Sequence, residues 1–402
     1  MVGLIKTITN KLRGNQTKSL AKAELLNGTT TVYTAFNAGA YANDIYREGV
    51  DAIARNVAKL KGAHVVNYDG VRKSAADIKL NRCLQIAPND YMTAYDMLYK
   101  LATHYYLYNN AFALLNKDNK GNITSIYPIT CTQADFLTDP SERLFIKFHF
   151  RNGQELIFPY RDVIHIRRHF NSDELLGDSN DAISPALELA HAENEGIINS
   201  IKSGAQIRGI LKYTQIMNED KLRADKEAFI RDYLDVSNNG GIVATDSKAD
   251  YIPINSTPAK VNSDDTQATK TKIYNYLGIT EKIVNSSYDE NEWGAFYESV
   301  IEPLALQLSL EFTRKIFNDR ERAFGNQIVF ESGRVLYASN ATRLNMIKEL
   351  VPYGLLSINE AREILNLAPV EDGDKRLQTL NVVDANKAND YQLDTDTEGA
   401  TE

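Results

Sequence analysis

Cysteine is scarce in this sequence. Cys83 and Cys131 are the two cysteines among 402 residues, and neither belongs to a CxxC pair or to a Cys/His ligand spacing. Such usage fits a reducing compartment. Long apolar runs are also missing, since no stretch approaches the roughly 20 residues that cross a bilayer. The first fourteen residues lack the apolar core and cleavage site of a signal peptide. We therefore expect a non-secreted, soluble chain with no membrane partner.

Positive charge is in deficit. The chain has 45 Lys and Arg against 53 Asp and Glu, a formal net charge of -8. Tight binding of nucleic acid needs clustered cations that replace phosphate counterions, so this balance argues against such a protein. The 43% of apolar and 24% of charged residues are typical of a folded chain. The length allows two or three compact units.

Familiar catalytic patterns are missing as well. The sequence has no Gly-x-Ser-x-Gly elbow, no His-Glu-x-x-His and no kinase set. The NNGG stretch invites a phosphate-loop interpretation, but Gly240 and Gly241 lead into "IVATD" instead of a Lys-Ser/Thr pair at a helix start. A turn between strands is favoured, and we assign no catalytic residue, cofactor or metal site.

A pair of histidines raises the question of a metal site. In "DVIHIRRHF" a strand would place His165, Arg167 and His169 on one face, because strand side chains repeat every two residues. With Asp162 nearby, these histidines define the enzymatic alternative, a metal-dependent enzyme acting on nucleic acid. A metal site needs further ligands and a fixed second shell, so a polar sheet face is favoured.

Periodicity orders the elements along the chain. A helix is predicted over about 44–61, strands over about 111–168 with hairpins at a Gly/Asn turn and at Asn152-Gly153, and a helix after Ser184-Pro185. A stripe over 91–105, "YMTAYDMLYKLATHY", predicts a packing face, with base stacking by its tyrosines as the alternative.

Two features mark the last hundred residues. A polar loop precedes a long helix, and Pro303 within it should produce a kink because it lacks an N–H and clashes with the preceding turn. Near the end, "YGLLSINEAREILNLAPVEDGD" predicts a helix that starts at a capping box of Ser357 and Glu360. This second stretch is a packing unit without chemistry.

Four stretches together resemble a known family. They are "APNDYMTAYDMLYKLATHYYLYNNAFALL", "DVIHIRRHF" with "LLGDSNDAISPALELA", "YLGITEKIVNSSYDENEWGAFYESVIEPLALQLSLEF" and the "YGLLSINEAREILNLAPVEDGD" stretch. In this order they are similar to the portal proteins of tailed double-stranded DNA bacteriophages, over roughly residues 40–380.

The resemblance implies an α+β portal-like subunit with a mixed wing domain, two stem helices, a small α/β clip, a long kinked helix and a helical crown. The implied regions are a flexible N-terminal segment 1–39, the first part of the wing 40–184, a stem helix 185–204, the clip 205–262, a second stem helix 263–278, a tunnel-loop region 279–291, the long helix and strand of the wing 292–335, the crown 336–382 and a disordered acidic tail 383–402.

The resemblance also implies a function. Copies of the chain, commonly twelve, would form a ring at one capsid vertex, assembled in the host cytoplasm, and act as the channel for packaging and ejection of double-stranded DNA. Implied partners are the terminase large subunit, the major capsid protein with its scaffold, and a head-completion or adaptor protein. The expected DNA-facing residues of the tunnel loop are Asn285, Ser286, Ser287 and Tyr288. Another head-tail connector or tail ring component is the non-enzymatic alternative.

Overall fold

The computed structural model describes residues 24–25, 32–34, 40–68, 71–75, 77–204, 209–213, 220, 223–224, 227–228, 249–253, 263–331, 340–365 and 367–378. The helices are α1 Asp44–Val57, α2 Ile78–Gln85, α3 Ala94–Tyr108, α4 Ser184–Gly204, α5 Ser263–Leu277, α6 Glu281–Val284, α7 Glu290–Phe296, α8 Glu302–Ile316, α9 Asp319–Ala323, α10 Asn340–Leu350 and α11 Ile358–Ile364.

The strands are β1 Glu24–Leu25, β2 Val32–Thr34, β3 Lys61–Tyr68, β4 Val71–Ser74, β5 Asn110–Lys117, β6 Ile123–Ile129, β7 Gln133–Thr138, β8 Leu144–His149, β9 Glu155–Pro159, β10 Val163–Arg167, β11 Gly209–Tyr213, β12 Ala249–Pro253, β13 Asn326–Glu331, β14 Tyr353–Ser357 and β15 Arg376–Gln378. The chain divides into two compact units, one of residues 1–288 with 296–329 and one of 289–295 with 330–402.

Two sheets of the first unit share an apolar core. Strands β10-β5-β6 form one antiparallel sheet, and β7-β8-β9 form another that β1 and β2 extend. Every second side chain of these strands points into the core, as period-two alternation requires. The buried cluster comprises Phe112, Leu114, Tyr127, Ile129, Cys131, Ala134, Phe136, Ile146, Phe148, Leu156, Phe158, Val163 and Leu176. Both hairpins predicted from Gly121-Asn122 and Asn152-Gly153 are confirmed.

Two short strands lie within the segment 1–39, which was predicted to be flexible. The backbone of β1 pairs with the end of β7, and β2 pairs with its beginning. The unpaired edge of β7 offers a ladder of N–H and C=O groups, which explains why a short segment without a strong strand pattern is recruited there. The other residues of 1–39 lie outside the described part of the chain.

Helices α1, α3 and α5 form the helical layer of the first unit. Helix α1 buries Tyr46, Val50 and Ile53 completely. Gly49 allows the close approach of α1 to α5, because a Cβ at this position would overlap the side chain of Leu277.

The predicted tyrosine stripe is only partly a packing face. Leu98 and Leu101 are fully buried, but α3 begins at Ala94 and the 91–95 portion of the stripe is exposed at both of its tyrosines.

The small insert after α4 contains an antiparallel pair, β11 with β12, which agrees with the predicted strand at each end. The NNGG stretch between these strands lies outside the described residues.

Elsewhere in the first unit, β13 pairs with β3, which pairs in turn with β4. Within the described ranges, no helix combines the length and the apolar character needed to span a bilayer.

The second unit contains a strand pair in addition to the helices that the prediction of a helical crown requires. Between α10 and α11 the chain forms β14, which pairs with β15 about twenty residues further on. A turn leads into this strand, where the Gly354 N–H bonds to the Val351 carbonyl oxygen at 3.0 Å and Gly354 adopts a φ of 69°. The partner strand is distant in sequence, so local periodicity does not reveal it. The tail 383–402 lies outside the described residues.

Candidate functional site

The candidate site is the segment of residues 281–288, which connects α5 to the long helix. Helix α5 ends at Leu277, where Gly278 adopts a φ of 79° and the N–H of Ile279 bonds to the Tyr274 carbonyl oxygen at 3.0 Å. A glycine in this left-handed conformation ends a helix and reverses the chain without a Cβ clash. The reversal directs the following residues back along α5.

The predicted tunnel-loop region 279–291 is not an irregular loop throughout. It contains α6, whose Ile283 is only 3% exposed, and a turn follows. In this turn the Asn285 N–H bonds to the Glu281 carbonyl oxygen and the Ser287 N–H to the Lys282 carbonyl oxygen, both at 2.9 Å. The loop expectation failed because α6 is too short for a periodic pattern and is set by the burial of one isoleucine.

The predicted DNA-facing residues follow directly. Asn285, Ser286, Ser287 and Tyr288 are all exposed, and Ser286 has a φ of 57°. The four side chains offer an amide, two hydroxyls and a phenol, which can donate to or accept from a passing polar surface. None of them carries a charge at neutral pH, so contacts with phosphate oxygens would be weak and easily exchanged.

Contacts from two helices hold the ends of α6. The Glu281 carboxylate lies 2.7 Å from Lys270 Nζ and accepts from Gln267 Nε2 at 2.8 Å. The hydrogen bond from Lys270, followed by that from Gln267, lowers the pKa of Glu281 below its usual value. At the other end, Arg55 Nη2 on α1 donates to the Val284 carbonyl oxygen at 3.1 Å.

Sequence reasoning missed Arg55 and Lys270. Arg55 lies 229 residues from Val284, and Lys270 lies on a different helix from Glu281. Neither spacing leaves a local pattern, because i,i+3 and i,i+4 rules apply only within one helix. Only the tertiary packing of α1 and α5 reveals these contacts.

His165 is a satisfied core histidine. Its ring is 2% exposed and stacks on Phe112 with the ring centroids 4.4 Å apart. Nε2 lies 3.0 Å from Asn110 Oδ1, and Nδ1 lies 3.1 Å from the hydroxyl of Tyr160. Burial lowers the pKa of His165 well below 6.5, so the imidazole is neutral. Both ring nitrogens are hydrogen-bonded, so the one lone pair of the neutral ring is already engaged and is not offered to a metal.

His169 lies outside the strand, contrary to the shared face predicted with His165 and Arg167. Strand β10 ends at Arg167, and His169 has a φ of 51°, which breaks the period-two alternation. Asp162, the third member of the enzymatic alternative, is paired with Lys117 Nζ at 2.7 Å. No cluster of three or more metal-ligating side chains occurs in the part of the chain that the structure describes.

The remaining predicted residues have structural positions. Pro303 lies near the start of α8, just after a π-helical segment, Tyr297–Ile301. In the second unit, Ser357 accepts from the Glu360 N–H at 3.1 Å, and the Glu360 carboxylate accepts from the Ser357 N–H at 2.7 Å. These reciprocal bonds form a capping box at the start of α11.

Solved structures with this arrangement of sheets and helices include chains from gene transfer agent (GTA) particles and a phage portal protein. A chain from the neck of an empty GTA particle, computed with C6 symmetry, superposes with a TM-score of 0.60 at 15% identity, covering 83% of this chain and 92% of that chain. An HK97 family phage portal protein from Corynebacterium diphtheriae gives a TM-score of 0.50 at 11% identity, covering 74% and 95%. The fold is thus the mixed helix and sheet subunit found in portals.

The chain belongs to the phage portal protein family, whose sequence model matches residues 45–366. The portal protein of Enterobacteria phage HK97 is 19% identical over 326 residues, which are 78% of this chain and 76% of that protein. The probable portal protein of Lactococcus phage p2 is 22% identical over 198 residues, 46% of this chain. The chain spans about half of the length of this Lactococcus phage relative, 52%.

Proposed function

We propose that copies of this chain close into a ring, most simply of twelve, at one capsid vertex, and that double-stranded DNA passes through the ring during packaging and ejection. The observation that carries this proposal is the match of the fold to portal and neck subunits over most of the chain. The neck of a native GTA particle, which contains a chain of similar fold, was computed with C12 symmetry, and this supports twelve copies.

The regions of the chain have proposed places in this ring. The sheets and helices of residues 40–184 would form the wing, together with the long helix and strand of 292–335, and α4 and α5 would form the stem. The β11–β12 pair would belong to a clip over 205–262, and the second unit would contribute the crown over 336–382. The 279–291 region would face the tunnel with its exposed residues.

The charge of the chain suits a passage for DNA. A net charge of -8 avoids the many simultaneous phosphate contacts that would retard a sliding duplex. The side chains of 285–288 can exchange single hydrogen bonds with the moving backbone. Energy for packaging would come from a motor that includes the terminase large subunit, docked at the clip.

The other proposed partners follow from the position at a vertex. The major capsid protein and its scaffold would surround the wing during head assembly, and a head-completion or adaptor protein would bind after packaging. Membership of the family supports a structural role, and we propose no catalytic activity. The enzymatic alternative loses its basis because His165 has both ring nitrogens hydrogen-bonded and Asp162 is paired with Lys117.

A photocrosslinking experiment tests the proposed channel. Ser287→Cys carries a thiol-reactive benzophenone, and Asn152→Cys, in an exposed hairpin turn of the wing, serves as the matched control. Both native cysteines are buried, and burial raises the pKa of Cys131 to about 12, so they compete poorly for the label.

Heads that contain the labelled chain are illuminated during DNA packaging. We expect position 287 to crosslink to duplex DNA and position 152 to remain unlinked. Equal crosslinking at both positions, or crosslinking at neither while packaging proceeds, would contradict a channel lined by the 281–288 segment.

A further inference from the structure

The 281–288 segment is tied to the second proposed stem helix by both oxygens of one carboxylate. Glu281 Oε1 pairs with Lys270 Nζ at 2.7 Å, and Glu281 Oε2 accepts from Gln267 Nε2 at 2.8 Å. Gln267 and Lys270 are three residues apart on α5 and therefore lie on one face of it. The side chains of Lys270 and Glu281 are 25% and 39% exposed, so this anchor lies at the surface.

A second anchor comes from α1. Arg55 Nη2 donates to the carbonyl oxygen of Val284 at 3.1 Å, where α6 ends and the exposed turn begins. The guanidinium also lies 3.8 Å from the Asp51 carboxylate one turn earlier on α1. Asp51 in turn accepts the hydroxyl of Tyr99, on α3, at 2.6 Å. A carbonyl at a helix end lacks an intrahelical partner, and a cationic donor satisfies it.

The two anchors grip α6 at opposite ends. Glu281 is its first residue and Val284 its last, and the buried Ile283 lies between them. The exposed residues 285–288 begin where the second anchor ends. The segment thus has a base, α6, which the two anchors hold, and an exposed tip, residues 285–288.

We propose that Arg55 and Lys270 are positioning residues, which hold α6 against α1 and α5 so that the 285–288 tip projects at a defined place. Because Lys270 lies on α5, a displacement of this helix would move Glu281 and the tip with it. This inference deepens the proposed function. Only its consequence for DNA, that the tip faces the channel, rests on that proposed function. The anchoring itself can be measured without DNA.

Spin labelling provides this measurement. A nitroxide on Ser287→Cys in the full-length protein reports the mobility of the tip. Arg55→Gln removes the anchor from α1, and Lys270→Met removes the ion pair of the anchor on α5 while the hydrogen bond from Gln267 remains. Arg47→Gln is the matched control on α1, since Arg47 contacts the ring of Tyr41 and not α6. Lys272→Met is the matched control on α5, where Lys272 is exposed.

We expect each anchor variant to shorten the rotational correlation time of the nitroxide about twofold, because each removes one of few local constraints. Partly exposed polar contacts contribute little to global stability, so the midpoint of thermal unfolding should move by less than about 2 °C. The controls should leave both quantities unchanged. Lys270→Arg should retain the mobility of the parent protein, since a guanidinium also pairs with a carboxylate.

The outcomes separate the two proposals. If neither anchor variant changes the nitroxide mobility, or if the controls change it equally, the positioning role is wrong. This conclusion holds whether or not position 287 crosslinks to DNA. If mobility rises as expected but position 287 does not crosslink to DNA, the anchoring holds and the channel assignment fails. If Arg55→Gln does not fold, the positioning role is tested on the α5 anchor by Lys270→Met together with Glu281→Gln, which both weaken this anchor at a surface site and should each increase mobility.

Discussion

The backbone N–H of Glu302 bonds to the carbonyl oxygen of Tyr297, five residues earlier, immediately before Pro303. This i→i−5 bond belongs to the π-helical segment Tyr297–Ile301. A proline inside a helix lacks an N–H and its ring crowds the carbonyl four residues back. The wider π turn changes the hydrogen-bonding pattern ahead of the proline, and π segments in helices are frequent at functional sites.

Replacing Pro303 tests the origin of this irregularity. Pro303→Ala restores an N–H that can bond to the Ser299 carbonyl oxygen, so residues 297–302 should move toward α-helical bonding. We expect slower amide hydrogen exchange there and a free energy of unfolding that rises by at most about 1 kcal/mol. A loss of more than about 1 kcal/mol would mean that the surrounding packing, and not the proline, selects the π segment.

Protonation of His165 should make the protein acid-sensitive. Burial holds the folded-state pKa well below 6.5, so below that pH the unfolded chain binds a proton that the folded chain does not. The free energy of unfolding should therefore fall as pH drops through 6.5, by up to about 1.4 kcal/mol per pH unit from this group.

His165→Gln keeps an amide that can donate to Asn110 and removes the titration. Urea denaturation at pH 7.5, 6.5 and 5.5 should give a flatter pH slope for this variant than for the parent protein, at a cost of about 1 kcal/mol at the highest pH. His191→Gln, at an exposed site on α4, is the matched control for a histidine-to-glutamine change. Identical slopes for all three proteins would show that His165 is not the titrating group.

Lys315 should affect the stability of the protein at alkaline pH. Burial lowers its pKa from 10.5 to about 8, and Nζ donates to the Tyr160 carbonyl oxygen at 2.6 Å. Between those two pH values the unfolded chain holds the extra proton, so stability rises with pH. The parent protein should gain about 1–3 kcal/mol relative to Lys315→Met between pH 7.5 and 10. An unchanged difference in urea denaturation would contradict this, and Lys272→Met serves as the exposed control.

Gly177 should not tolerate a side chain. A Cβ there would overlap the carbonyl oxygen of Arg168 and lie 2.6 Å from that of Asn109, and backbone atoms cannot move aside cheaply. We expect Gly177→Ala to lower the free energy of unfolding by more than about 2 kcal/mol. Gly294→Ala, in α7 with open space around it, should be neutral or stabilising by about 0.5–1 kcal/mol. Equal effects of the two substitutions would contradict the packing argument.

Local signals in the sequence were sufficient for much of the fold. The Asn152-Gly153 turn and the alternation around it predicted β8 and β9, and the Ser-x-x-Glu pattern predicted the start of α11. In each case the determining interaction lies within a few residues. The ordered set of four stretches predicted the family, which the match over 45–366 confirms.

Distant contacts account for the failures. Strand β14 depends on its pairing with β15. Helix α6 depends on the burial of Ile283 and on anchors from α1 and α5. Strand β10 ends at Arg167, two residues before His169. None of these partners is visible in a local window. The exposed tip at 285–288 was predicted from the family resemblance, whereas the residues that hold it come only from the structure.

The central claim is that this chain forms a closed ring around a channel with the 285–288 tip on its wall. Single-particle cryo-electron microscopy of the purified full-length protein, under several salt conditions, tests this most directly. We predict closed rings with a central opening wide enough for B-form DNA and with Asn285–Tyr288 on the surface of that opening. Only monomers or open chains, a filled centre, or rings with this tip on the outer surface would contradict the account.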